Sequence, residues 1–202
     1  MLAVRQPHPA ATEALPHRLL PWHLPRKEFF SLKNRVFSTK MLATMGLLVA
    51  LEVVIARFGT IRPTQSIKLS LDFIPIVVAG ILYGPIPALI ISILADILGA
   101  FLFPVGPFFP GFTLTAALTG LLYGAVLHRS QAMPRVILAV VLHQCVLSLL
   151  LNTYWLRVLY GLPYLPTLVG RLVQCGIMAA LQILIIPILA RVAREVERRV
   201  LA

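Results

Sequence analysis

Acidic residues are scarce in this 202-residue chain, where seven Asp and Glu stand against 18 Lys and Arg. Charged residues of both signs make up only 12% of the sequence, whereas 59% is hydrophobic and the mean hydropathy is +0.90. So few polar side chains cannot cover the surface of a soluble globule of this size. The composition therefore excludes a soluble domain and indicates a protein that crosses a membrane several times.

Sequence motifs for catalysis and for metal binding are also missing. The two cysteines, Cys145 and Cys175, lie in separate apolar runs without any CxxC pair, so neither a zinc site nor a structural disulfide is predicted. There is no GxSxG or HExxH, and His143 is the one histidine inside a clear apolar run, which argues against an intramembrane enzyme. Because GxxxxGK[ST] is absent too, we predict no P-loop, no enzyme activity and no cofactor.

The basic residues are concentrated near the two ends of the chain. Seven precede residue 41 and four follow residue 190, a distribution typical of segments that flank membrane spans rather than of nucleic-acid binding. We therefore divide the chain into a basic N-terminal leader (1–40), a membrane domain (41–190) and a basic C-terminal end (191–202). The leader lacks a signal-peptide pattern, and its last part suits either an interfacial helix or a solvated tail.

Apolar runs in the membrane domain predict an all-α bundle of six transmembrane helices, since about 20 residues cross the hydrocarbon. Gly84, Pro85 and Pro87 break one long run into two helices, of which the first is short. The predicted spans are Met41–Phe58, two within Leu69–Phe103, Gly111–Leu127, Val136–Leu159 and Leu165–Ala190.

Basic residues near the span ends predict that both termini are cytoplasmic in a multi-pass protein of the cell membrane. In that orientation thirteen basic residues lie inside, including Arg129 and Arg135, and four lie outside. The four outer residues are Arg57, Arg62, Lys68 and Arg157. They are either ordinary interfacial side chains or cations that meet an external ligand.

Arg171 is the strongest candidate for a binding residue, because it lies well inside the sixth span. A guanidinium at that depth costs at least ~2.5 kcal/mol unless it faces the bundle interior or a watery cavity. Gln174 follows one turn later on the same helix face. We predict that this polar face contacts an anion.

Further candidates lie at the same outer level of the bundle. Asn152 and Trp155 share a face of the fifth span, and Phe108 and Phe109 lie in the connection before the fourth span. Together with Arg57 and Arg171, they suit a flat aromatic anion, since rings stack, amides read an edge and cations hold carboxylates. The alternatives are an interfacial anchor for the Trp and a helix-to-helix contact for the Gln.

Three other ionisable residues lie within spans, namely Glu52, Asp96 and His143. We expect them to satisfy one another structurally, and the alternative is a proton relay in a proton-coupled secondary carrier. The sequence contains no two-fold internal repeat of the kind that many such carriers show, which argues against the second reading.

The run GPIPALIISILADILGAFLFPVGPFFPGFTLTAALTGLLYG (84–124) resembles the S components of energy-coupling factor (ECF) vitamin transporters, and most of all their folate-specific group. The later LNTYWL (151–156) and the pair Arg171 and Gln174 are also similar to that group. The resemblance covers about residues 38–190, with GPFFPGFT as its most specific motif. It implies a six-helix membrane protein that binds folate tightly from outside and performs no chemistry.

The same resemblance implies partners: a transmembrane coupling protein and two cytoplasmic ATPases. Members of the family dock on the coupling protein through small residues of the first span, and the matching positions here are Ala43, Gly46 and Ala50. Riboflavin, thiamine and pantothenate remain alternative ligands, although pantothenate offers no ring to stack. A purely structural membrane subunit is a further alternative. In that case Arg171 and Asn152 could be replaced without loss of ligand binding.

Overall fold

The computed structural model describes residues 39–61, 68–104 and 106–198. These ranges contain α1 (Thr39–Phe58), β1 (Thr60–Ile61), β2 (Leu69–Ser70), α2 (Phe73–Tyr83), α3 (Pro85–Leu102), α4 (Pro110–Leu127), α5 (Met133–Tyr160) and α6 (Tyr164–Val196). The antiparallel strands form a short hairpin between α1 and α2. Of the predicted leader, only Thr39 and Lys40 are among the described residues. Arg62 lies outside them as well.

The all-α prediction is confirmed, but the six helices do not all have the length of a membrane span. α1, α3, α4, α5 and α6 are long and apolar enough to cross a membrane. α2 has 11 residues, and a helix of that length rises about 16 Å, roughly half of the hydrocarbon thickness. Five helices therefore span by length, and α2 lies within the bundle as a partial span.

The predicted break between α2 and α3 falls at Gly84 and Pro85. Gly84 has a φ of 85°, a left-handed conformation that glycine adopts without steric cost. Pro85 begins α3, where its missing N–H would have had no helical partner. The two helices therefore meet in a sharp turn that needs no further loop residues.

Glycines on α4 bring its backbone close to α2 and α3. A Cβ at Gly120 would lie 2.5 Å from the Ala88 carbonyl oxygen, and one at Gly124 would lie 2.4 Å from the Pro85 Cα. A Cβ at Gly80 of α2 would in turn lie 2.9 Å from the Gly124 nitrogen. This is the close small-residue packing that stabilises helix pairs in lipid, where burial of apolar surface gives little preference for association.

The short helix α2 contributes to both hydrophobic clusters of the bundle. One cluster joins α2 to α4, α5 and α6, with Val77, Tyr123 and Ile186 at its centre. The other joins α2 to α1 and α3 through Ala79 and Ile91. Because α2 contacts the helices on both sides, its position holds the bundle together despite its short length.

The middle of α5, Leu142–Leu151, is π-helical. An α-helix turns 100° per residue, so residues four apart drift about 40° around the helix with each step. The wider π turn, with its i→i+5 hydrogen bonds, reduces that drift. As a result, side chains spaced four apart reach one cavity along most of the helix: Gln144, Ser148, Asn152, Leu156 and Tyr160.

Candidate binding site

A cavity of about 360 Å³ lies among the helices, and every one of the six helices contributes to its wall. That volume is within the range of small-molecule binding sites in proteins. The hairpin and the connection before α4 complete the wall. Six of the seven residues predicted to bind ligand line this cavity: Arg57, Phe108, Phe109, Asn152, Arg171 and Gln174.

Arg171 lies in the cavity wall on α6, and only 5% of its surface is exposed. Its Nε is enclosed and has no hydrogen-bond partner within the described residues. Gln174, one turn later on α6, donates from Nε2 to the Lys68 carbonyl oxygen at 2.7 Å, which links α6 to the hairpin. Its Oε1 is likewise enclosed and unpartnered in the described part of the chain. The structure therefore offers both a cation and an amide oxygen to a ligand.

Asn152 also lines the cavity, and its enclosed Oδ1 accepts no hydrogen bond from the described residues. Trp155 does not line the cavity. Its Nε1 donates to the Thr115 hydroxyl at 3.1 Å, and its ring lies 5.6 Å from that of Phe109. Since Trp155 lies about 60° around α5 from Asn152, it points toward α4 and supports the Phe109 ring. Of the two predicted binding residues, Asn152 thus lies in the cavity wall and Trp155 lies behind Phe109.

The two phenylalanines lie at different depths. Phe108 is 45% exposed and packs against Phe101, with ring centroids 5.5 Å apart, whereas Phe109 is half-buried. Gly111 makes room for the inner ring, because a Cβ there would lie 2.4 Å from Phe109 Cε1 and 2.6 Å from Trp155 Cδ2. Gly111 thus lets the aromatic pair lie against α4 without displacement.

Arg57 is half-buried and lines the cavity from the C-terminal end of α1. Its guanidinium lies against α3 at Gly99, where a Cβ would come within 2.9 Å of Nη2. Any larger residue at that position would displace the guanidinium. Gly99 therefore determines where this cation can lie.

Sequence reasoning missed Asp72, which lines the cavity beside β2 and forms an ion pair with Lys68. Burial raises the pKa of the Asp72 carboxyl. The Lys68 ammonium and the Ser70 hydroxyl lower that pKa by a larger amount, so the net pKa lies below its ordinary value. The available signal was the spacing of a Lys and an Asp four residues apart in an otherwise apolar segment.

The expected pairing among Glu52, Asp96 and His143 is not present. Asp96 instead accepts a hydrogen bond from the Thr113 hydroxyl at 2.7 Å. Glu52 Oε2 and His143 Nδ1 are enclosed and have no hydrogen-bond partner among the residues the structure describes. All three residues line the cavity, a position that the sequence did not predict for them.

The predicted partner-binding residues share an exposed face of α1. Ala43, Gly46 and Ala50 are all exposed, and a Cβ at Gly46 would meet no described atom within 4 Å. The flat strip of small side chains is bordered by the exposed Leu42 and Leu47. This face of α1 is open to lipid or to another protein.

Comparison with known proteins gives a consistent result. The family model described as ECF transporter, substrate-specific component, matches residues 40–190. A folate transporter FolT from Clostridium novyi (strain NT) is 36% identical over 143 residues, which cover 70% of this chain and 83% of that protein. Another, from Leuconostoc mesenteroides subsp. mesenteroides, is 30% identical over 124 residues, 60% of this chain and 66% of that protein.

Solved structures agree with these sequence matches. The crystal structure of FolT bound with folic acid superposes with a TM-score of 0.72 at 36% identity, covering 76% of this chain and 94% of that one. The S-component for biotin from an ECF-type ABC transporter has a TM-score of 0.61 at 21% identity, covering 77% and 91%. The second match supports the fold alone.

Proposed function

The chain belongs to the family of substrate-specific components of ECF transporters, and we propose that it captures folate for import. It is a transport subunit and not an enzyme, in agreement with the prediction from its missing catalytic motifs. The relatives named as folate transporters and the relative solved with folic acid support folate over the other vitamins. Neither proton-coupled carriage nor a purely structural role is favoured.

The observation that carries this proposal is the enclosed guanidinium of Arg171 in the wall of a small-molecule-sized cavity. Folate has two carboxylates, which arginine binds strongly through paired charge-assisted hydrogen bonds. Its pteridine is a flat ring that Phe109 can stack, and Asn152 and Gln174 offer unpartnered amide oxygens to hydrogen-bond donors of the ligand. A ligand of this kind would satisfy polar groups that the protein leaves unsatisfied by itself.

The direct test is equilibrium binding of folate to the purified chain alone in detergent, with riboflavin, thiamine and pantothenate as competitors. Tight binding that none of the three displaces would support the proposal. Binding of another vitamin in place of folate would retain the transporter role and overturn the specificity.

We further infer that the small-residue face of α1 docks on a transmembrane coupling protein, which two cytoplasmic ATPases drive. The exposure of Ala43, Gly46 and Ala50 supports this role, since small side chains allow another helix to approach closely. The chain itself carries no P-loop motif, so nucleotide would have to act through those partners.

The distribution of basic residues supports an orientation with both termini, the leader (1–40) and the C-terminal end (191–202), in the cytoplasm. The ligand cavity would then open outward. A cysteine substituted for Arg157 should react with a membrane-impermeant reagent in intact cells, whereas one substituted for Arg129 should not. The reverse pattern would overturn this orientation.

A further inference from the structure

We propose that Glu52 is a specificity residue whose carboxylate accepts hydrogen bonds from the N–H edge of the pteridine ring. This inference rests on folate being the ligand. It assigns a role to a residue of α1 that lies away from the arginine and amide cluster on α5 and α6.

Glu52 lies inside the bundle and contributes to the cavity wall, with only 6% of its surface exposed. Its Oε2 is fully enclosed and accepts no hydrogen bond from any described residue. A buried carboxylate without a partner is costly, so such groups are usually paired, hydrogen-bonded or engaged by a ligand. The wall of a ligand cavity is where the missing partner can be supplied.

The other two carboxylates of the cavity already have partners. Asp72 forms an ion pair with Lys68, and Asp96 accepts a hydrogen bond from Thr113. Of the three cavity-lining carboxylates in the described ranges, Glu52 alone thus retains an oxygen that is enclosed and unbonded. It is the acceptor best placed to receive donors from an occupant.

Glu52 and Arg171 lie on different walls of the cavity at similar depth. Glu52 is six residues from the outer end of α1, about 9 Å, and Arg171 is seven residues from the outer end of α6, about 10 Å. α1 packs against α2 and α3, whereas α6 packs against α2 and α5. No ion pair joins the two side chains in the described part of the structure. The cavity wall therefore carries an unpartnered carboxyl oxygen on α1 and an unpartnered guanidinium nitrogen on α6, at separate positions among the described residues.

Folate matches both positions at once. The lactam N–H and the adjacent amino group of its pteridine point the same way, and a carboxylate can accept from both, as it does from the two parallel N–H groups of arginine. The ligand's own carboxylates lie at the other end of the molecule, where Arg171 can bind them. Riboflavin places carbonyl oxygens on both sides of the corresponding ring N–H, so its edge would face Glu52 with repelling lone pairs. Pantothenate has no such edge.

A site built to hydrogen-bond a substrate group discriminates strongly against an analogue that lacks the group. The experiment therefore compares Glu52→Gln with wild type for three ligands. They are folate, 2-desamino-2-methylfolate and p-aminobenzoylglutamate, which keeps both carboxylates but has no pteridine. Glu195→Gln, near the end of α6 and outside the cavity wall, is the matched control.

We expect Glu52→Gln to bind folate at least ten times more weakly and to lose most of the preference for folate over its desamino analogue. Binding of p-aminobenzoylglutamate and the behaviour of Glu195→Gln should not change. Glu52→Asp, which keeps the charge on a shorter side chain, should retain part of the preference and thereby separate a specific contact from misfolding.

Unchanged folate binding by Glu52→Gln would overturn the inference and indicate a protonated, structural carboxyl. An equal loss for folate and its desamino analogue would also overturn it. Either result leaves folate capture standing, whereas failure of the wild-type chain to bind folate would refute the proposed function itself.

Discussion

Replacement of Arg171 by Ala should weaken folate binding while leaving the empty protein at least as stable as wild type. The guanidinium is enclosed and its Nε lacks a partner in the described structure, so in the absence of ligand its burial is a cost. Ligand carboxylates would convert that cost into a charge-assisted contact. Function and stability should therefore respond to the substitution in opposite directions.

The magnitude follows from the contact that is lost. Hydrogen bonds to charged groups contribute about 1.5–3 kcal/mol each, and about 1.4 kcal/mol changes a dissociation constant tenfold. Loss of one such contact should raise the Kd about 10- to 150-fold. Nanomolar binding corresponds to about −12 kcal/mol, so binding should remain measurable at micromolar folate. Arg171→Lys should recover only part of the loss, because lysine keeps the charge but not the paired geometry.

The assay is a folate titration of each purified variant in detergent, together with its melting temperature without ligand. Arg157→Ala is the matched control, since that arginine is exposed on α5 and does not line the cavity. If Arg171→Ala binds folate as tightly as Arg157→Ala does, the reasoning is refuted. A large drop in the melting temperature of ligand-free Arg171→Ala would also contradict it.

Three further substitutions test other parts of the molecule. Ala50→Trp should preserve folate binding but abolish uptake by cells that contain the coupling module, because the larger side chain obstructs the partner. Ala125→Trp, at an exposed position of α4, is the control and should affect neither binding nor uptake. Equal loss of binding and uptake in Ala50→Trp would contradict the division of roles. Gly111→Ala should push the adjacent aromatic rings from their preferred rotamers at a cost of about 1 kcal/mol, raising the Kd about fivefold. Gly176→Ala, which meets no described atom within 4 Å, should leave the Kd unchanged, and equal Kd values for the two variants would argue against the packing role. The pKa of Asp72 is lower in the folded protein than in the unfolded chain, where it is about 3.9. The ion pair therefore stabilises the fold fully above about pH 3.9, and this stabilisation is lost as the pH falls through the folded pKa. The melting temperature of wild type should therefore exceed that of Asp72→Asn at pH 7 and approach it toward pH 3; a difference independent of pH would contradict the ion-pair explanation.

Helix positions were predictable because uninterrupted apolar runs and a Gly-Pro break are local signals. The break at Gly84 was correct, and α6 continues only a few residues beyond the predicted end of its span. The shortness of α2 also followed from the position of that break, whereas its contacts could not be predicted, since its composition is as apolar as that of the full spans. Its short length is compensated by contacts with helices on both sides, which are properties of the assembled bundle.

Positions in the cavity wall were predictable where a polar residue interrupts an apolar run. Arg171, Gln174 and Asn152 were identified in this way, and all three line the cavity. The orientation of Trp155 was not predicted, because the 60° that separates it from Asn152 around the helix is enough to turn its ring toward α4, and the position of α4 is a property of the assembled bundle. The lack of a hydrogen-bond partner for Glu52 Oε2 could not be predicted either. It depends on tertiary contacts, in which Asp72 pairs with Lys68 and Asp96 accepts from Thr113.

The π-helical middle of α5 has a consequence for how the family could diversify. Adding or deleting a single residue between Leu142 and Leu151 would rotate the part of the helix after this segment by about 100° relative to the part before it. Side chains that now face the cavity would be turned about 100° away from it, and residues from the neighbouring side of the helix would replace them. The length of this segment should therefore be constrained more strictly than its composition, and a one-residue length change there is a route to a new ligand that point substitutions do not offer.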